Sequence, residues 1–342
     1  MIIHKIYSEL FSINNILRAW QKFRLGKTRK YDVVSFQCHL EDNLFSLYED
    51  LKSGKYKHSR YEHFQVFDSK KRDIHKAKVR DRIVHQIIFD YLEEIFEPIF
   101  IRDSYSSRKE KGSHQALKTF KYFAKLVSNG NKSQCYILKC DVRKYFNSVK
   151  QKILLEIIRG KVTDESIFEI IREIVNSFKE GSVALGDCLT ELVGMPLGNI
   201  TSQVFANIYL NGLDEFVKEE LGSRFYIRYN DDFVILDNSK LRLEKYLPRI
   251  RKFLEEKLEL KIPAEKTSIR KLEWGVDFLG YIILKDAVLL RNKTKGKIFE
   301  RLNEKNISSY LGLLKHCNSY TLRQKIISNY NSQIKPDFEG DF

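Results

Sequence analysis

Three aspartates in this 342-residue chain stand where strand-like segments end, and their type and spacing could do phosphoryl-transfer chemistry. Asp231 and Asp232 lie in Arg228-Tyr229-Asn230-Asp231-Asp232-Phe233-Val234-Ile235-Leu236. Phe225, Ile227 and Tyr229 alternate with more polar neighbours before the pair, and a continuous apolar run follows it. That is the pattern of a β-hairpin with acids at its turn. Asn and Asp also suit an ordinary surface turn, where their side chains bond local backbone groups. Asp141 has the same kind of flank: it follows Cys135-Tyr136-Ile137-Leu138-Lys139-Cys140 and precedes Tyr145-Phe146. If the two strands are sheet neighbours, their carboxylates can hold a pair of hard cations. Mg²⁺ favours a few carboxylate oxygens plus substrate phosphates. Two such ions stabilise both the attacking and the leaving oxygen of the transfer.

The surrounding elements have to position these acids and supply a substrate site. Ile6, Leu10, Ile13, Ile16, Leu17 and Trp20 recur at helical spacing, so residues 1–72 read as mostly helical. The basic segment Lys22 to Lys30 is either a phosphate grip or a solvated loop. A second basic run, Lys70 to Arg82, leads into the apolar positions of residues 83–92, a buried helix. Lys78, Arg80 and Arg82 could face a nucleoside triphosphate there and neutralise its phosphates. Ser104 to Ala116 is a small, basic, Gly-containing loop that could present backbone N–H groups to a phosphate. Phe146, five residues after Asp141, either packs in the core or presses on the sugar of an incoming nucleotide and excludes a 2′-OH. Residues 151–180 are helical. Leu192 to Gln203 is a turn-rich helix entry, with Thr201 or Ser202 near the helix start. Gly198 there would let another molecule come close. Residues 241–258 form a basic amphipathic helix, Ile262 to Thr267 a turn exposing Lys266, Phe278 to Leu284 a strand, and the tail from 285 a basic helical segment.

Composition narrows the partner. Formal net charge is +15, and the cations are spread along the chain, which suits a groove for a polyanion. Eighteen Tyr and 23 Phe supply rings for core packing and for stacking on bases. Hydrophobic residues at 43% and charged residues at 31% describe a globular protein. No apolar run approaches the length of a membrane span, so no membrane partner is expected. Five cysteines without a Cys-x-x-Cys spacing, and no export signal, point to reduced thiols and a cytoplasmic location.

Taken in order, these blocks resemble the motif series of reverse transcriptases, over about residues 70 to 284. The resemblance implies an α/β (α+β) right-hand polymerase with fingers, a palm whose antiparallel sheet is backed by helices, and a helical thumb. Its units would be 1–72, an N-terminal helical extension and fingers; 73–284, reverse transcriptase fingers and palm; and 285–342, the thumb. Asp141, Asp231 and Asp232 match the catalytic aspartates, ligands for two Mg²⁺ ions for which Mn²⁺ can substitute. Lys266 matches the lysine that protonates departing pyrophosphate, Phe146 the steric gate, and Lys78, Arg80 and Arg82 the fingers that grip the dNTP. Phe278, Leu279 and Gly280 fall in the strand that looks like the primer grip. The implied partners are template RNA, a DNA primer and its cDNA, and dNTPs.

Leu197-Gly198-Asn199-Ile200-Thr201-Ser202-Gln203 departs from the family's Gln-Gly-x-x-x-Ser-Pro form. It is similar to the hydrophobic-Gly-x-x-x-Ser-Gln variant of diversity-generating retroelements, whose enzymes copy a template RNA with frequent errors opposite adenine. Leu197, Gly198 and Gln203 would then shape the dNTP site and its fidelity, since a leucine cannot make the polar contact of the usual glutamine. The likeness also implies a small basic accessory protein that forms an oligomer. The chain leaves no room for a maturase domain, a zinc-bearing endonuclease segment or an RNase H-like extension, which fits a stand-alone polymerase better than a group II intron protein. A retron or phage-defence reverse transcriptase is the nearest alternative. A non-catalytic RNA-binding protein of the same fold is the other, and three clustered anions beside a polyanion speak against it.

Overall fold

Alternating apolar residues build the central sheet, and its register brings the acids together. In the computed structural model, which describes residues 2–67, 71–179, 183–185 and 189–334, the chain begins with four helices, α1 (Ile2–Leu10), α2 (Ile13–Arg24), α3 (Tyr31–Cys38) and α4 (Leu40–Lys52). A hairpin of β1 (Glu62–Phe67) and β2 (Lys71–Lys76) follows, then α5 (Val79–Phe96) and α6 (Ser113–Val127). Next come β3 (Tyr136–Asp141), α7 (Tyr145–Ser148), α8 (Gln151–Arg159), α9 (Glu165–Asn176), and a short hairpin of β4 (Val183–Leu185) and β5 (Leu189–Glu191). Helix α10 (Ile200–Glu215) leads to β6 (Tyr226–Tyr229), β7 (Asp232–Asp237), α11 (Lys240–Lys257) and β8 (Thr267–Lys271). The chain continues through β9 (Val276–Phe278), β10 (Tyr281–Ile283), β11 (Val288–Leu290), α12 (Asn292–Arg301), α13 (Ile307–Leu314) and α14 (Tyr320–Ile334).

The four-stranded sheet has the order β6-β7-β3-β8 and is antiparallel throughout. Successive side chains on a strand point to opposite faces, so the sheet feeds two cores. Leu138, Cys140, Tyr226, Phe233 and Ile235 join a core with α5, α8, α9, α10 and α11, while Ile137, Ile227, Val234 and Leu236 join a second with α6, the β9–β11 sheet and α12–α14. Burial on both faces explains the continuous apolar run after Asp232. Helix α10 is buried nearly all round, from Thr201 to Asp214, as the central helix of the first core.

The fold departs from the sequence expectations in several places. The N-terminal segment is helical only to Lys52, because Glu62–Phe67 and Lys71–Lys76 pair as a ribbon exposed along all of β1. Trp20, Leu47 and Leu51 share the first core with the palm residues rather than forming an extension of their own. Helix α5 reaches back to Val79, so Arg80 and Arg82 lie in its first turn and Lys78 is its cap. Phe278 to Leu284 is two strands, β9 and β10, joined by Leu279 and Gly280 at φ of 51° and 89°. Two positive φ values match the tight turn that follows a right-handed strand twist. The expected boundary at 284 cuts a three-stranded sheet, since β11 pairs with β10. Lys70, Cys188 and residues 335–342 of the expected thumb lie outside the described residues.

Candidate active site

Asp141 ends β3 and Asp232 opens β7, and the two are register partners across the ladder. The β6–β7 turn is Asn230-Asp231, with Asn230 at φ 57°, a left-handed conformation Asn tolerates better than most residues. The Val142 N–H donates to the Asp231 carbonyl at 3.2 Å, which ties the two acid-bearing segments together.

Each flanking carboxylate faces a lysine. Lys266 Nζ, from the turn before β8, pairs with Asp141 Oδ1. Lys139 Nζ stands 3.5 Å from Asp232 Oδ2 and donates to the Asp277 carbonyl of β9 at 2.7 Å. Asp232 Oδ1 is buried without a hydrogen-bond partner. Burial pushes the Asp232 carboxyl up to about 7; Lys139 opposes that shift, and the charges of Asp141 and Asp231 add to it.

Among the described residues no group of three or more His, Cys, Asp or Glu is gathered closely enough to hold a metal ion. Lys266 and Lys139 engage the Asp141 and Asp232 carboxylates instead. The donor set nonetheless fits a hard divalent cation: all its atoms are carboxylate oxygens, and Asp232 Oδ1 is a buried acceptor with no hydrogen-bond partner.

A buried network beneath the turn escaped the sequence reading. Arg228 and Asp214 are both fully buried and bidentate, with Nε to Oδ1 at 2.7 Å and Nη2 to Oδ2 at 2.6 Å. Arg228 Nη1 also donates to Asn207 Oδ1 at 3.1 Å and to the Asn230 carbonyl at 3.2 Å. Tyr226 Oη donates to Asp214 Oδ1 at 2.7 Å. Burial alone would lower the Arg228 pKa, and the Asp214 carboxylate more than reverses this. An arginine inside an otherwise apolar strand was the available signal, as was Lys139, two residues before Asp141 and so on the same face of β3.

The loop from Gly194 to Asn199 is docked from both sides. The Met195 N–H donates to the Phe146 carbonyl at 2.7 Å, and the His75 N–H to the Leu197 carbonyl at 3.0 Å. Asn199 caps α10 by position, yet its side chain accepts from the Ala77 N–H and donates to the His75 carbonyl. Ser202 Oγ donates to the Pro196 carbonyl at 2.7 Å, and Thr201 Oγ1 lies 3.4 Å from His85 Nδ1. Leu197 is half-buried and Gln203 is exposed on α10. Gly198 is exposed, and its missing side chain leaves room for β2 on one side. At φ 107°, a Cβ there would sit 2.9 Å from Ile74 Cγ2 of β2.

The remaining candidates differ in how free they are. Phe146, on α7, is half-buried with its ring 5.4 Å from that of Tyr145. Arg80 pairs with Asp50 at 2.5 Å and lies over Tyr56. Arg82 pairs with Asp32 and lies over Phe23. Lys78 is exposed, with no ion pair among the described residues. Phe278 is fully buried against Phe120, so the Leu279-Gly280 turn is the part of the expected primer grip that reaches the surface.

Residues 57–283 match the family model described as reverse transcriptase (RNA-dependent DNA polymerase). Domains of this kind generally use divalent metal ions. The chain is 26% identical over 283 residues to Protein YkfC of Escherichia coli (strain K12), covering 73% of each. It is 23% identical over 308 residues to the group II intron-encoded protein LtrA of Lactococcus lactis subsp. cremoris, covering 71% of this chain and 50% of LtrA. It therefore spans about half of that relative. A telomerase from Candida albicans, solved with a TWJ fragment of telomeric RNA, aligns with a TM-score of 0.53 at 13% identity, over 87% of this chain and 62% of the telomerase chain. That likeness is one of fold, the right-hand polymerase. No helix among the described residues is long and apolar enough to cross a membrane. The family match runs from the segment before β1 through the aspartates to β10, and on that extent the chain belongs to the reverse transcriptase family, the RNA-directed DNA polymerases.

Proposed function

We propose that this protein copies a template RNA into error-prone cDNA as the polymerase of a diversity-generating retroelement, with Asp141, Asp231 and Asp232 as its catalytic carboxylates. The observation that carries the catalytic part is the ladder register, which sets Asp141 opposite Asp232 with Asp231 in the adjoining turn. The three acids would hold the divalent ions, magnesium with manganese able to substitute. When bound, such ions would neutralise charge on the attacking 3′-oxygen and the leaving pyrophosphate. The primer 3′-OH gives up its proton to solvent and attacks the dNTP α-phosphate, and the bond from that phosphorus to the oxygen bridging to the β-phosphate breaks, releasing pyrophosphate. Lys266 is the general acid: its ammonium, resting on Asp141 in this structure, would pass a proton to the departing pyrophosphate. Phe146 flanks the nucleotide sugar, Lys78 is the freest of the three fingers cations to meet the triphosphate, and Leu279 and Gly280 meet the primer.

The error-prone part rests on Leu197 and Gln203. Leu197 is fixed through its backbone to β2, so its apolar side chain replaces a polar contact at a set position. A small basic accessory protein would complete the assembly. Sequencing cDNA made on a mixed-sequence RNA template tests this reading. Errors should concentrate at template adenines and fall by about tenfold in Leu197→Gln, a change of about 1.4 kcal/mol in discrimination. An unchanged error spectrum in the variant would overturn the role of Leu197. A second reading, an accurate intron-type, retron or defence reverse transcriptase, draws support from the similarity to LtrA and predicts few adenine errors in the wild type.

A further inference from the structure

Helix α6 carries His114, Lys118, Lys121 and Lys125 at i, i+4, i+7 and i+11, so these cations rise along one face, a turn apart. The helix sequence contains no Asp or Glu. Its opposite side, with Ala116, Leu117, Phe120, Ala124 and Val127, is buried in the second core. Lys118, Lys121 and Lys125 are exposed and form no ion pair among the described residues. On helix α11, by contrast, Lys240 pairs with Glu244 and Lys252 with Glu256.

Other elements extend the positive face. His114 stacks on His316, in the α13–α14 connection, with ring centroids 3.7 Å apart, and His114 Nε2 is buried without a partner. Burial first, then the charges of His114, Lys118, Lys121 and Lys315, hold His316 below the usual imidazole range. Lys121 and Lys125 line a cavity of about 320 Å³ with Lys285 of the β10–β11 turn. The acid in that cavity wall, Asp286, accepts from Asn131 at 2.7 Å. Tyr122, on the neighbouring face of α6, is 61% exposed. The stripe borders the α13–α14 connection and the β10–β11 turn.

We propose that the α6 stripe is a second nucleic-acid contact, which holds the phosphate backbone of a single-stranded polynucleotide beyond the catalytic cleft. Unpaired lysines a turn apart suit phosphates, and an exposed tyrosine beside them suits a base. The contact does not depend on the roles given to the aspartates.

Binding of a 30-nucleotide RNA, and of DNA of the same sequence, is measured by fluorescence anisotropy across a salt series. The variants are Lys118→Gln/Lys121→Gln/Lys125→Gln, the same triple to Arg, and Lys240→Gln/Lys252→Gln as control. The Gln triple should lose roughly tenfold or more in affinity, with the slope of log K against log salt shallower by about 2, for three phosphates at about 0.7 each. The Arg triple and the α11 control should stay within about twofold of wild type. Equal losses for RNA and DNA assign the contact to the shared backbone; a loss for RNA alone assigns it to template RNA and its 2′-OH. A Gln triple with the wild-type slope, or an Arg triple that falls equally far, would overturn the proposal. A wild-type protein that binds RNA but makes no DNA would contradict the proposed function and leave this test intact.

Discussion

Lys139 joins two parts of the site that lie far apart in sequence. Its ammonium faces Asp232 and holds the Asp277 carbonyl at the base of the β9–β10 hairpin. Lys139→Met should therefore cost about 1.5–3 kcal/mol, the range for a hydrogen bond from a charged group, read from urea unfolding. Asp231→Asn keeps a side chain of the same size that suits a turn, so the variant should still fold, yet primer extension should fall on the order of 10³-fold. Several kcal/mol of charge stabilisation would be lost with its carboxylate. A variant with more than a tenth of wild-type activity would remove Asp231 from the catalytic set. That the three aspartates stand at neighbouring strand ends was legible because short local patterns carry them: an alternating run, a turn, an apolar run. Lys139 was not, since its meaning depends on Asp232 and Asp277, which only the tertiary fold brings to it. Arg80 and Arg82 read as free cations for the same reason, with Asp50 and Asp32 on separate helices.

At the scale of elements, buried polar contacts hold the site's loops. Arg228 joins α10 to the β6–β7 turn, so Asp214→Asn should cost about 3–5 kcal/mol by leaving a buried guanidinium without its counter-charge. Urea unfolding checks this; a loss below about 1 kcal/mol would mean that the pair does not hold the turn. Gly198→Ala should cost about 1–3 kcal/mol through the clash with Ile74 and the left-handed backbone. Adding Ile74→Ala should relieve the clash alone.

A pH effect belongs to the His58–His85 pair, whose Nε2 atoms are 3.1 Å apart, with His85 bridging to Thr201 at the start of α10. Burial first lowers both imidazoles below 6.5; for His85 the nearby charges of His58 and Arg82 act the same way, whereas Asp81 opposes the shift at His58. The unfolded chain thus binds more protons than the folded one as pH falls through 6.5. Stability from the pair is present above pH 6.5 and lost below it. The melting temperature should fall between pH 7.5 and 5.5, and His58→Gln should shrink that fall; an equal fall in the variant would exclude the pair as its cause. At this scale the helices were legible from their periodicity. The β1–β2 ribbon was not, because β1 is exposed along its whole length and β2 over Lys71–Asp73, so neither carries a clear alternation. The β9–β10 hairpin read as one strand because Leu279 gives no local sign of a left-handed turn.

One antiparallel sheet separates two cores, carries the three acids at the ends of its two central strands and the adjoining turn, and belongs to a chain of formal charge +15. Burial makes the thiols at the sheet poor nucleophiles, pushing Cys135 and Cys140 up to about 12. The right-hand architecture followed from the order of the motif blocks. The merging of the N-terminal helices with the palm core did not, since it depends on packing among Trp20, Leu47 and α5. The most direct measurement is primer extension on a mixed-sequence RNA template with dNTPs and Mg²⁺, comparing wild type with Asp231→Asn and retaining RNA binding as a fold control. RNA-templated DNA should appear with the wild type and vanish with the variant while both bind RNA equally. Equal synthesis by the two proteins, or RNA binding without synthesis by the wild type under metal and accessory-protein titration, would contradict catalysis at these carboxylates.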